Sequence, residues 1–153
     1  MMKEKQQVNK KMKTAYSLTI VIITLIVVGG IIYQNYETTP LVNIHGINLV
    51  VNEPTNSKLE IEGNVLLPSS TFTIKSSSFF EYKLNITNYN TVTEYVKSVT
   101  TNTPGFQIPT TYLSESLPLS ISPGESKILD VTVATPTGSY SGPVNIIVNV
   151  TTS

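Results

Sequence analysis

The pattern of apolar and polar positions changes once along this chain, near residue 40. Before that point, residues 16–33 (YSLTIVIITLIVVGGIIY) run eighteen positions without a charge. After it, no stretch repeats at helical spacing, and two-residue alternation takes over. In KLEIEGNVL, Leu59, Ile61 and Val65 share one side with Gly63 between them, while Lys58, Glu60, Glu62 and Asn64 take the other. In FFEYKLNIT, Phe80, Tyr82, Leu84 and Ile86 alternate with Glu81, Lys83, Asn85 and Thr87. In ILDVTVAT, Leu129, Val131 and Val133 alternate with Asp130, Thr132 and Ala134. In PVNIIVNVT, Val144, Ile146, Val148 and Val150 point inward, with Asn145 and Asn149 outward. Weaker strands are expected in LVNIHGINLVV, interrupted by Gly46, and in TFTIK, EYVKSVT and FQI.

Turn chemistry separates these runs. Glu53-Pro54, Leu67-Pro68, Thr103-Pro104-Gly105, Ser122-Pro123-Gly124 and Ser141-Gly142-Pro143 break the ladders, since Pro fixes φ and Gly supplies a positive one. Seven or eight half-buried strands, each with one apolar face, predict an all-β fold: an antiparallel β-sandwich of two packed sheets over residues 41–153.

The apolar stretch predicts a different element. At ~1.5 Å per residue, eighteen residues make a helix of roughly 26 Å, close to a bilayer's ~30 Å hydrocarbon core. Tyr16 and Tyr33 stand at its ends, where aromatic rings favour the membrane interface. Lysines precede it, and none follows until Lys58, which places the N-terminus in the cytoplasm and the C-terminal part outside. The expected organisation is a cytoplasmic basic tail over 1–15, a transmembrane helix over 16–33, a linker over 34–40 and an extracytoplasmic domain over 41–153.

Three fates are open to the stretch: removal as a secretory signal, retention as an anchor, or packing against copies of itself. A secretory signal has a shorter apolar core followed by small residues before the cut. Here the one small pair, Gly29-Gly30, is followed by Ile31-Ile32-Tyr33, so a retained signal-anchor is the favoured expectation. Archaeal type IV pilins and archaellins combine a basic leader, a cut before the apolar helix and a β-sandwich head. Lys13-Thr14-Ala15 before Tyr16 resembles that cut loosely, departing at Thr14, where a charged residue is usual. Helices packed in a filament favour Ala and Gly faces, whereas this one is mostly Ile and Val, as a lipid-facing helix is.

Charge follows the same division. The chain is formally neutral. The first fifteen residues hold Lys3, Lys5, Lys10, Lys11 and Lys13 against Glu4, and from Gln34 onward five lysines face nine acids, so the tail stands near +4 and the domain near −4. A domain this acidic has no basic face for a nucleic-acid backbone. The chain has no cysteine, which removes thiolate chemistry and Cys-ligated metals. It also has no arginine and one aspartate, Asp130, with Ser, Thr and Asn at most polar positions. This composition resembles that of archaeal surface proteins adapted to acid or heat, and equally that encoded by an AT-rich genome.

The second half carries a more specific resemblance. Ile86-Thr87-Asn88, Pro104-Gly105-Phe106, Ser122-Pro123-Gly124-Glu125-Ser126 and Tyr140-Ser141-Gly142-Pro143 resemble the strand ends and turns of immunoglobulin-like domains in prokaryotic, especially archaeal, surface proteins. The resemblance covers residues 41–153. It implies an Ig-like sandwich that binds, spaces or decorates, without implying catalysis.

Candidate chemistry is sparse. His45 is the single histidine and has no Ser, Cys or acid at motif spacing, so a solvated or hydrogen-bonded strand residue is the simpler reading. Glu60 and Glu62 share one strand face about 7 Å apart. With Glu53 or Glu81 they would offer oxygens to Ca²⁺, but no calcium-loop pattern accompanies them, and a solvated acidic face is expected instead. No phosphate-binding loop, nucleophile elbow or zinc spacing occurs, so neither an enzyme nor a cofactor nor a small-molecule substrate is expected. Asn85-Ile86-Thr87 and Asn149-Val150-Thr151 are glycosylation sequons on the polar sides of their strands, which makes Asn85 and Asn149 candidate glycan sites in an archaeal or eukaryotic host. The C-terminal NIIVNVTTS has no charge or proline, and at a sheet edge it would be an unguarded place for a partner's strand.

The expected partners are therefore the lipid bilayer and another surface or envelope protein. The expected role is structural or binding, at the cell envelope. A pilin-like or archaellum-accessory filament subunit and an envelope protein of an archaeal virus have the same anchor-and-sandwich layout.

Overall fold

A computed structural model describes residues 39–67 and 69–153. The expected cytoplasmic tail and transmembrane helix, and all of the linker before Thr39, lie outside the described residues. Among the described residues no helix is long and apolar enough to cross a membrane. They form eight strands: β1 (Leu41–Asn52), β2 (Leu59–Val65), β3 (Thr71–Lys75), β4 (Phe79–Asn88), β5 (Glu94–Thr100), β6 (Leu119–Ile121), β7 (Ser126–Ala134) and β8 (Tyr140–Thr152), with a short 3-10 turn at Thr110–Tyr112 before β6. The expected all-β class and strand number hold.

The strands make two sheets, ordered β3-β1-β8-β5-β6 and β2-β4-β7. The alternating residues meet between them. Val42 and Ile44 of β1, Val96 and Val99 of β5 and Val144, Ile146, Val148 and Val150 of β8 face Leu84 and Ile86 of β4 and Leu129, Val131 and Val133 of β7, all buried in one core. Burying each such side chain contributes about 1.5–3 kcal/mol, which selects a register that keeps every apolar set inside.

The sandwich is not wholly antiparallel. β1 and β8 pair in parallel, from Val42 opposite Tyr140 to Asn52 opposite Asn149. Parallel neighbours need a long connection, and here most of the domain provides it. The register slips between Ile44 and Ile47, where Gly46 sits at φ +133°. The interruption expected at Gly46 is thus a bulge within one continuous strand.

Two expectations are corrected. NIIVNVTTS is not an edge strand: β8 lies between β1 and β5, paired with β1 as far as Asn149 and with β5 from Ile147 to Thr152, so neither flank is open along its whole length to a partner's strand. Its outward residues lack charge because the strand is central, not because an edge went unprotected. FQI is not a strand either. Phe106 is buried, and only Gln107 makes a bridge, to Ala134. The real edges are blunted in other ways. β3 and β6 are short, β2 turns Glu60 and Glu62 to solvent, and β7 is partly covered by bridges from Gln107 and Leu113.

Two glycines have specific work. A Cβ on Gly63 would lie 1.7 Å from the Tyr82 hydroxyl, so the buried Tyr82 ring crosses β2 only where a side chain is missing. Gly105 turns at φ +80°, and a Cβ there would lie 2.7 Å from the Pro136 Cβ. That turn sends Phe106 into the core, edge-on to Tyr140 at 4.9 Å between ring centroids.

Candidate interaction surfaces

The far end of the sandwich, where β1 and β8 finish, holds a buried polar cluster. Glu94 begins β5 and is fully buried. Its carboxylate accepts the Lys58 amide at 2.9 Å, the Asn90 side-chain amide at 2.7 Å and the Ser57 hydroxyl. Burial pushes its pKa up, but these three donors outweigh it and hold the carboxyl below the ordinary glutamate value. Asn88, also fully buried, donates to the carbonyls of Val92 and Ile121 and accepts the Asn90 amide. The start of β2, the end of β4, the start of β5 and the end of β6 are thereby tied together. This arrangement clamps three loops. A carboxylate so engaged and held ionised is not a proton acceptor in waiting.

The sequence reading assigned Glu94 no role. A signal was present: Glu94 shares the parity of the inward Val96, and a charge in the apolar register of a strand must be buried and paired.

The outer face of the five-stranded sheet has a different character. Glu94 is the only acid in its five strands, and it points inward. Outward, side-chain amides bond across the strands. Asn48 donates to Asn145 at 3.1 Å and Asn145 to Asn102 at 3.0 Å; Asn52 donates to Asn149 at 2.9 Å and Asn149 to Ser98 at 2.8 Å. Between the two rows, Val50 lies opposite Ile147 and Ile147 opposite Thr100. The three-stranded sheet instead presents Glu60, Glu62, Glu81, Lys83 and Asp130, with Lys83 and Asp130 facing each other at 3.9 Å.

The structure places each candidate residue on one of these surfaces. Asn149 sits inside an amide row, and the nitrogen a glycan would take is the one donating to Ser98. Asn85 is half-buried on the other sheet's outer face, between Glu62 and Ile128. His45 is exposed on β1, its Nε2 3.3 Å from the Ser141 hydroxyl, a neighbour 96 residues away that sequence spacing did not show. Glu60 and Glu62 are exposed on β2. Among the described residues no group of three His, Asp or Glu comes close enough to share a metal ion, so His45 and the paired acids remain separate surface groups.

A third surface was not read from the sequence. At the near end of the sandwich, a groove of about 370 Å³ opens between Leu66, Leu67, Ile74, Phe79, Phe80 and Glu81. Leu66 is 50 % exposed, Leu67 42 %, Phe79 51 % and Tyr112 44 %. Phe79 and Tyr112 stand edge to face, 5.5 Å between centroids. Compared with known proteins, this chain matches no family model, no curated protein and no solved structure.

Proposed function

We propose that this protein is a non-catalytic, single-pass membrane protein whose Ig-like domain lies outside the cell and serves a structural or protein-binding role at the envelope. Anchoring rests on the uncharged run of residues 16–33 with five lysines before it. The binding role rests on one observation, the outer face of the five-stranded sheet. That face is broad, free of carboxylates and already cross-bonded, with Val50 and Ile147 at its middle. Interface centres are depleted of charge, and a preorganised amide array loses little side-chain entropy on docking. Ile86-Thr87-Asn88 and Pro104-Gly105-Phe106 support the Ig-like reading, because the first ends β4 at the buried Asn88 and the second turns Phe106 into the core.

The topology is tested by protease added to intact cells expressing the chain. Digestion of the domain without lysis is expected, and protection until lysis would overturn the reading. The binding face is tested by Val50→Glu with Ile147→Glu, which should shrink the detergent-extracted complex while the domain stays folded. An unchanged complex argues against this face.

A further inference from the structure

The near end of the domain is where the chain enters it. The Pro40 carbonyl accepts the Ser76 amide at 2.9 Å, and Leu41 pairs with Lys75, which puts Pro40 beside the turn that leads into Phe79. Leu66 donates its amide to the Glu81 carbonyl, so the Leu66-Leu67 step is at the same end. Scattered exposed apolar side chains are ordinary, but three large ones lining one groove, with Tyr112 stacked edge-on against the third, Phe79, are not.

We propose that Leu66, Leu67, Phe79 and Tyr112 bed into the interfacial layer of the bilayer on the outer side, so that the domain lies against lipid instead of swinging on its linker. The proposal rests on the membrane-anchored reading and adds to it a second, non-covalent contact with the same membrane.

The length of chain before the domain argues for lipid as the occupant. Seven residues, 34–40, separate the apolar run from β1, at most ~25 Å when fully extended. The groove and the start of β1 therefore share the one end of the domain that a membrane anchor holds nearest to lipid. Charge agrees with this. Toward the opposite end Glu60, Glu94 and Glu125 outnumber Lys58 and Lys127, while Lys75 stands where the chain enters. Glu81 is the one acid on the groove wall, and it is exposed, so it can keep its water at the rim. An edge-to-face Phe–Tyr pair suits the headgroup boundary, where the apolar ring bodies enter and the phenol hydroxyl stays wet. Shallow apolar insertion of this kind is weak alone, and a tether strengthens it by raising the local concentration of surface.

The chain has no cysteine, so single introduced thiols report unique positions. Leu67→Cys and Tyr112→Cys, with Thr152→Cys at the opposite end as reference, are labelled with an environment-sensitive fluorophore on the full chain in phosphatidylcholine vesicles. Each is quenched by lipid-borne nitroxide or by added iodide. Flotation with the vesicles tests the anchor, and the quenching tests the patch. Expected are strong nitroxide quenching and several-fold weaker iodide quenching at residues 67 and 112, with the reverse at residue 152. Equal iodide quenching at both ends overturns the proposal while leaving the anchor standing. Shielding from both quenchers overturns it in favour of a second copy or another protein in the groove. A chain that fails to float overturns the anchor reading and the proposal together.

Discussion

Asn52 donates its side-chain amide to the Asn149 oxygen at 2.9 Å, joining the ends of two parallel strands 97 residues apart in the chain. The bond belongs to a longer correspondence. Residues 47–52 read INLVVN and residues 144–149 read VNIIVN, paired position for position from Ile47 with Val144 to Asn52 with Asn149. Like sits beside like, so three apolar pairs stack on the core side, and on the outer side two asparagine pairs flank the apolar pair of Val50 and Ile147. In a parallel pair the outward side chains of one strand lie level with those of the other, and matched amides can bond along the row. One row then continues onto β5 through Ser98, and the other onto the chain just after β5 through Asn102.

These rows should carry measurable but modest energy, since they are solvent-facing. Asn52→Ala and Asn149→Ala are each expected to cost about 0.5–1.5 kcal/mol by chemical denaturation. The double variant should cost less than the sum, because either single substitution already removes the bond between Asn52 and Asn149. Full additivity would show that the row is decorative.

Glu94 makes stability depend on pH. Its folded pKa lies below the ordinary value of 4.5, so its contribution is complete above that value and is lost as pH falls through the folded pKa. Glu94→Gln should destabilise the domain at neutral pH by about 2–4 kcal/mol, because an amide nitrogen then faces donors in a buried site. The variant should also lose stability less steeply than the parent on acidification below about pH 5. Denaturation midpoints measured from pH 7 to pH 3 check both, and parallel pH profiles would contradict the assignment.

The Gly63–Tyr82 contact gives a packing test. Gly63→Ala forces the ring out of place and is expected to cost about 1–3 kcal/mol. Combined with Tyr82→Ala, the same substitution should add almost nothing, since its clash partner is gone. A persistent cost would locate the problem in the β2 backbone instead.

Much of this fold is legible in alternation. β4, β7 and β8 have four, three and four buried apolar residues in strict register, and each was placed from pattern alone. β6 was missed because Leu119–Ile121 is too short for a period to show. FQI was misread because a buried aromatic after a Pro-Gly turn looks like the start of a strand. The position of β8 within its sheet was not legible, for a more instructive reason. An uncharged outward row marks either an unguarded edge or a covered centre, and local sequence does not separate the two. The likeness of INLVVN to VNIIVN held the answer, since it supplied a partner for the second flank. The near-end groove was illegible because its residues come from the chain just after β2, the end of β3, the start of β4 and Thr132 of β7, with Tyr112 brought beside them from the turn before β6.

Phe106 tests the Pro-Gly-Phe turn. Phe106→Ala should cost about 3–5 kcal/mol, as expected for a buried aromatic removed from a packed site. Tyr140→Phe keeps the edge-on ring and removes only the hydroxyl's bond to the Pro143 carbonyl, so a loss of about 0.5–1.5 kcal/mol is expected. Thermal or denaturant unfolding of both variants measures the difference, and equal losses would mean that the ring contact contributes little.

The most direct test of the account is the mass and N-terminal sequence of the protein purified from its native membrane. The account predicts an intact N-terminus, with or without Met1, so that residues 16–33 stay as the anchor of a surface module. A mature chain beginning at Tyr16 would contradict it and make the protein a filament subunit.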